Sequence, residues 1–78
     1  MTIVTATLEG MRVSVEERIC RLEEYHFVTN QFNLVEEAAW PMPAHRVRRW
    51  LSGWNRVDKL LAIATLTSPD DPTRLEAL

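Results

Sequence analysis

The N-terminal part of the chain alternates apolar and polar residues with the period of a β-strand. Thr, Ile and Val dominate residues 2–8, and apolar and polar residues alternate over 11–15, after Glu9 and Gly10. Alternation on both sides of a glycine predicts a β-hairpin. Because two strands alone are marginal in water, residues 1–13 are predicted to form an N-terminal arm or hairpin.

The pattern changes to a helical period after Ser14. Ser14 and Glu17 have the spacing of a capping box, and the apolar residues that follow recur every three to four residues. These residues are Val15, Ile19 and Leu22, and His26 falls on the same side of the predicted helix. We therefore expect a first helix over about 15–27.

A second helix is predicted to end at Trp40. Asn30 or Asn33 can cap it, and Asn33 has a glutamate three residues later. Pro41 disfavours helical geometry in the residue before it, whereas Pro43 suits the first turn of a new helix. The segment between these prolines is therefore predicted to be a tight turn between two helices.

Three further helices are predicted after this turn. The third covers about 43–52 and is closed by Gly53, since glycine best adopts the left-handed conformation past a helix end. The fourth begins after Asn55 and has a broad apolar band that reaches Leu66. Ser68 can cap a last short helix near the C-terminus.

These elements together predict a single, mainly α domain. It has four to five short helices over residues 14–78, preceded by the strand or hairpin arm at 1–13. A chain of 78 residues buries only about three fifths of its unfolded surface, which is enough for one core. No internal repeat is present.

Composition excludes several classes of protein. The single cysteine, Cys20, cannot close an intramolecular disulfide, and no His/Cys spacing suits zinc. No apolar stretch could span a bilayer and the N-terminus lacks a signal pattern, so we expect a cytoplasmic protein without cofactor or metal. We expect no enzyme, because so short a helical chain has little room for a cleft that shifts a pKa.

Charge is unevenly distributed along the chain. The net charge is -2, yet residues 44–59 contain five basic residues and only one acidic residue. On a helical wheel the third helix has two faces. The apolar side carries Val47, Trp50, Leu51 and Trp54, and the polar side carries His45, Arg48, Arg49 and Ser52. Arginine can bind O6 and N7 of guanine together, so this polar side is typical of a helix that reads DNA.

The same region resembles a known family. The run Val-Arg-Arg-Trp-Leu-Ser-Gly at 47–53, followed by an apolar helix pattern and Ser-Pro-Asp at 68–70, looks like the second half of a Cro/C1-type (lambda-repressor-like) helix-turn-helix domain. Residues 18–24 are similar to its first helix. The likeness is degenerate in the turn, where Pro41 replaces the usual glycine.

The resemblance implies a set of DNA-facing residues and a core. The residues toward DNA would be Pro43, Ala44, His45, Arg48, Arg49 and Ser52, with Arg56 on a phosphate. The core would include Met42, Val47 and Trp50. The tryptophans are expected to pack in the core, His26 to be a hydrogen-bonded core residue, and Cys20 to be inert.

Two functions follow from these observations. The first is a small DNA-binding transcriptional regulator, such as a repressor, that binds double-stranded DNA as a homodimer with the helix at 43–52 in the major groove. The apolar fourth helix or the Thr-rich N-terminal segment would carry the dimer contact. The alternative is a small helical interaction protein, an inhibitor, antitoxin or adaptor, that binds a partner protein through an acidic face. That face would contain the doublets Glu16-Glu17, Glu23-Glu24 and Glu36-Glu37.

Overall fold

The computed structural model describes residues 3–6 and 10–78. Within these residues lie four strands, two α-helices and one short 3-10 helix. The strands are β1 (Ile3–Ala6), β2 (Met11–Glu16), β3 (Ile19–His26) and β4 (Gln31–Ala39). The helices are α1 (Ala44–Trp50) and α2 (Arg56–Leu66), and the 3-10 helix is Arg74–Ala77.

The strands form one antiparallel sheet in the order β1-β2-β3-β4. The predicted N-terminal hairpin is confirmed where the structure describes it, because β1 pairs with β2 from Ile3 opposite Val15 to Ala6 opposite Arg12. The rest of that prediction, at residues 1–2 and 7–9, lies outside the described residues. The predicted domain boundary after residue 13 falls inside β2.

The mainly α fold class is wrong, because the chain is mixed α/β. The predicted first helix at 15–27 is a hairpin of β2 and β3, in which Val13 lies opposite Leu22. Two residues, Glu17 and Arg18, connect the strands with φ of 51° and 63°. Positive φ at both positions is the geometry of a type I′ turn, which matches the twist of paired strands.

The predicted second helix is also wrong, since its residues form β4. The register between β3 and β4 shifts at Leu22 and Glu23, which lie opposite Glu36 and Leu34. Val35 is therefore an extra residue in β4, a β-bulge. The bulge interrupts the alternation of apolar and polar residues, so that the strand resembles a helix in sequence.

The predicted third and fourth helices are present. Gly53 follows α1 with φ of 88°, as its place after a helix end predicts. Asn55 caps α2, because its Oδ1 accepts a hydrogen bond of 2.9 Å from the backbone N–H of Asp58. The last predicted helix is wrong in its start, because no helix follows Ser68 and only a short 3-10 helix, Arg74–Ala77, forms after Thr73.

The predicted helix-turn-helix is absent from the described residues. That motif needs a helix immediately before the recognition helix, and here β4 leads into α1 through the Trp40–Met42 segment. The turn between Pro41 and Pro43 therefore joins a strand to a helix.

One face of the sheet packs against the helices and forms the core. Its strands contribute Val13, Cys20 and Leu22, and the helical half contributes mainly apolar residues. These include Met42, Val47, Trp50, Leu51, Trp54, Ala62, Ile63, Leu66 and Ala77. Neither α1 nor α2 has the length and apolar run that crossing a membrane requires.

Candidate nucleic-acid interface

Helix α1 presents its two faces as its sequence predicts. Val47 and Trp50 are buried in the core, whereas His45, Arg48 and Arg49 are exposed on the opposite side. This segregation follows from the helical repeat, which places residues three or four positions apart on one side. The basic side chains consequently project away from the core.

The side chain of Glu36 on β4 contacts two residues of α1. The Trp50 indole Nε1–H donates a hydrogen bond to the Glu36 carboxylate, and Arg46 Nη2 lies 4.0 Å from Glu36 Oε1. Both contacts are made from the α1 side that faces the sheet edge. Arg46 is thereby drawn toward the sheet and away from the other cations of α1.

The exposed side of α1 lines an open concavity of about 520 Å³, which we call the basic concavity. Its lining residues are His45, Arg48, Arg49, Ser52, Gly53, Lys59 and Leu78. Four of the predicted DNA-facing residues therefore come together in it. Lys59, on α2, is a further cation that the sequence analysis did not assign to the site. Its position in the basic segment 44–59 was the only signal for it.

The other predicted site residues lie elsewhere. Pro43 and Arg56 are exposed but do not line the concavity. Ala44 is only 4% exposed, so its predicted place toward DNA is wrong. Ala44 lies three residues before Val47 and therefore on the buried stripe of α1.

Other predictions for the core have mixed outcomes. Met42, Val47 and Trp50 are buried as expected, and so is Trp54. His26 is exposed beside Glu24, with 3.4 Å between Nε2 and Oε1, so its predicted core position is wrong. The reason is that the His26 position is the end of a strand rather than the inner face of a helix.

The cations that line the basic concavity lie outside the ion pairs of the described residues. In the described part of the chain, Arg48, Arg49 and Lys59 make no ion pair. Cations on the sheet are paired instead: Arg12 Nε lies 2.9 Å from Glu23 Oε1, and a 3.6 Å contact joins Arg21 to Glu37. The chain is acidic overall, yet three cations without an ion pair among the residues that the structure describes, Arg48, Arg49 and Lys59, lie on one surface; Arg18, Arg56 and Arg74 lie outside it.

Half of the glutamates of the predicted acidic face lie beside an arginine. Three of the six glutamates in the three doublets, Glu23, Glu36 and Glu37, lie within 4.0 Å of an arginine, and Glu24 lies 3.4 Å from the His26 imidazole. Glu16 and Glu17 remain, next to the turn between β2 and β3.

The donor set of the basic concavity suits anions. Two guanidinium groups, an ammonium, an imidazole and a hydroxyl all donate hydrogen bonds, which is the chemistry that phosphate oxygens require. Both arginines also lie in the last turn of α1, where positive charge stabilises the negative end of the helix dipole. Over the described residues, no group of three or more His, Cys, Asp or Glu side chains could hold a metal ion.

Cys20 takes no part in this surface. It is fully buried between the sheet and the helices, and burial raises the pKa of its thiol to about 11. A thiol with so high a pKa carries almost no thiolate at neutral pH and is a poor nucleophile.

Comparison with known proteins gives no independent assignment. A scan against protein-family models, a search of curated proteins and a search of solved structures each found no match to this chain. The geometry of the basic concavity is therefore the basis on which a function can be argued.

Proposed function

We propose that this protein is a small DNA-binding protein that holds the phosphate backbone in its basic concavity. The observation that carries the proposal is the set of unpaired cations on one surface of a chain whose net charge is -2. Local potential, rather than net charge, steers an anionic partner to a surface. Paired cations on the sheet would contribute little to that potential.

The arginines of α1 add the means to contact bases. An α-helix with its side chains is about 10–12 Å in diameter, which suits a major groove about 12 Å wide. A planar guanidinium can donate to O6 and N7 of one guanine. In this arrangement Lys59 would contact phosphate while Arg48 or Arg49 reaches a base edge.

Such a protein would regulate transcription by occupying a site on DNA. A bound copy would cover a promoter and block or recruit polymerase. Two copies on neighbouring half-sites would enlarge the contact set and give specificity for an operator.

Binding to duplex DNA tests this proposal. We expect labelled duplex DNA to bind at low salt, with log affinity falling linearly as log salt concentration rises. The variants Arg48→Gln and Arg49→Gln should each weaken binding and reduce the salt slope by about one. Fluorescence anisotropy over a series of salt concentrations measures both quantities.

Arg18→Gln is the matched control. It removes the same charge as the other two substitutions, but Arg18 is exposed in the β2–β3 turn. It should leave the salt slope nearly unchanged. Equal losses from Arg18→Gln and Arg49→Gln, or no binding to any DNA pool at low salt, would contradict the proposal.

The alternative function, binding of a partner protein through an acidic face, stays a prediction. The ion pairs of Glu23, Glu36 and Glu37 reduce the free negative charge on that face. Pull-down of a basic protein partner that depends on Glu16 and Glu17 would favour it over DNA binding.

A further inference from the structure

The β3–β4 hairpin ends in an exposed apolar tip. The residue pairs between β2 and β3 end at Met11 and Glu24, and one further hydrogen bond joins Tyr25 N–H to Gly10 O. The β3–β4 hairpin therefore extends beyond the end of β2. Phe27 and Val28, which we call the hairpin tip, are 85% and 82% exposed. Residues 27–35 contain no charged side chain. Large apolar groups at such exposure mark an interaction site when they lie together.

A groove on the helical side of the molecule has matching chemistry. It has a volume of about 400 Å³ and is lined mainly by apolar residues of α2 and of the segment that follows. The lining consists of Leu60, Ile63, Ala64, Asp71, Pro72, Arg74 and Leu75. We call this the apolar groove. Leu60 and Leu75 are 42% and 66% exposed, so its walls are largely uncovered in a single copy.

We propose that the apolar groove binds the hairpin tip of a second copy of this chain. Both surfaces belong to one chain, and each is apolar and uncovered among the described residues. Insertion of the tip would remove both surfaces from water at once, which is the main driving force of protein association. Because the contact joins two different surfaces, it can form twice in a closed pair or repeat in a longer assembly.

Charge at the edges of the two surfaces supports the same occupant. The tip is flanked by Glu24 and His26, and the groove carries Asp71 and Arg74. Glu24 can thus face Arg74, and the His26 imidazole can donate a hydrogen bond to the Asp71 carboxylate. The carboxyl pKa of Asp71 is lowered, chiefly by the hydrogen bond from the Thr73 hydroxyl, so this group is ionised at neutral pH.

The groove is mainly apolar and has one acidic and one basic residue, so it lacks the excess of cations that nucleic acid requires. The proposal is also independent of DNA binding, because none of the residues of the tip or the apolar groove lines the basic concavity. The protein can therefore self-associate without binding DNA, and it can bind DNA without self-associating.

The first test is the mass of the full-length protein in solution. Sedimentation equilibrium from micromolar to submillimolar concentration should show self-association of the 9.1 kDa chain. Phe27→Asp and Leu75→Asp should each raise the dissociation constant at least about tenfold, since each places a charge in an apolar contact. A protein that remains a monomer throughout this range would overturn the proposal.

Val57→Asp is the matched control for these variants. Val57 is 68% exposed, close to the value for Leu75, and lines neither of the two surfaces. Circular dichroism should show that all three variants are folded. A loss of association from Val57→Asp as large as from Leu75→Asp would count against the assigned groove.

Disulfide cross-linking identifies which surfaces meet. The Phe27→Cys and Leu75→Cys proteins are mixed and oxidised, with buried Cys20 unreactive in the folded chain. A disulfide between the two different variants, in excess over either variant with itself, is expected. Predominant Phe27→Cys homodimers would show contact between two tips and would overturn the proposal.

Discussion

Glu36 links β4 to α1 through two side-chain contacts. Its carboxylate accepts a hydrogen bond from Trp50 and lies near Arg46, so one side chain of β4 holds two residues of α1. Neither contact was expected from the sequence, in which Glu36 follows a predicted helix cap and belongs to the predicted acidic face. Contacts between residues on different elements depend on the fold, and sequence spacing alone does not reveal them.

Removal of the Glu36 carboxylate should destabilise the protein. In Glu36→Ala the largely buried Trp50 indole loses its acceptor, which we expect to lower the free energy of unfolding by about 1–3 kcal/mol. Glu36→Gln keeps a carbonyl acceptor and should lose less. Urea unfolding followed by tryptophan fluorescence measures both values. A Glu36→Gln protein that is as unstable as Glu36→Ala would contradict the role of this hydrogen bond.

Burial of Cys20 should make stability depend on alkaline pH. Its folded-state pKa of about 11 is above the ordinary value of 9.0, so the folded state favours the neutral thiol. The resulting contribution to stability is present below pH 9.0 and is lost as pH rises through about 11. Urea unfolding across this pH range should show a steeper fall in the free energy of unfolding for the native chain than for Cys20→Ser. Parallel pH dependences would rule out a titrating thiol as the cause.

The elements differ in how well the sequence predicts them. Helix α2 has a side-chain cap at Asn55 and a long apolar band, and both local signals agree with its packing. The β2–β3 hairpin lacks such a local signal. Its turn contains Glu17 and Arg18, and neither residue type is typical of positive φ. Without a glycine or asparagine to mark the turn, the apolar residues on both sides resemble one helix.

The β4 strand was missed for a second reason. Its bulge at Val35 changes the phase of alternation, so Leu34 and Val35 stand together and Ala38 follows at a helical interval. A bulge is stabilised by pairing with β3, and this partner is not visible in the local pattern. The spacing of apolar residues alone could not distinguish a bulged strand from a short helix.

Replacing the β2–β3 turn should stabilise the hairpin. Asn and Gly both accept positive φ, so the double variant Glu17→Asn/Arg18→Gly should raise the free energy of unfolding by about 1 kcal/mol. Thermal and urea unfolding monitored by circular dichroism give the change. Glu16→Asn, in the extended strand, serves as the control and should bring no gain. An unchanged or lower stability of the double variant would argue against a type I′ turn.

At the scale of the whole molecule, charge placement was predicted better than architecture. The sequence located the basic segment and the two faces of α1, because both depend on local spacing along one helix. It did not locate Lys59 in the same surface, since α2 reaches α1 only in the folded chain. A sheet, and not the expected first part of a helix-turn-helix, precedes α1 in the chain. The basic side of α1 is nevertheless exposed to solvent.

The central claim is that the basic concavity is the DNA-binding surface of this protein. Titration of the isotopically labelled full-length chain with duplex DNA, followed by amide NMR shifts, tests it most directly. Shifts should concentrate at the residues of the concavity, especially His45, Arg48, Arg49, Ser52 and Lys59, and should be small across β2 and β3. Shifts confined to the sheet or to the hairpin tip, or an unchanged spectrum at low salt, would contradict the claim.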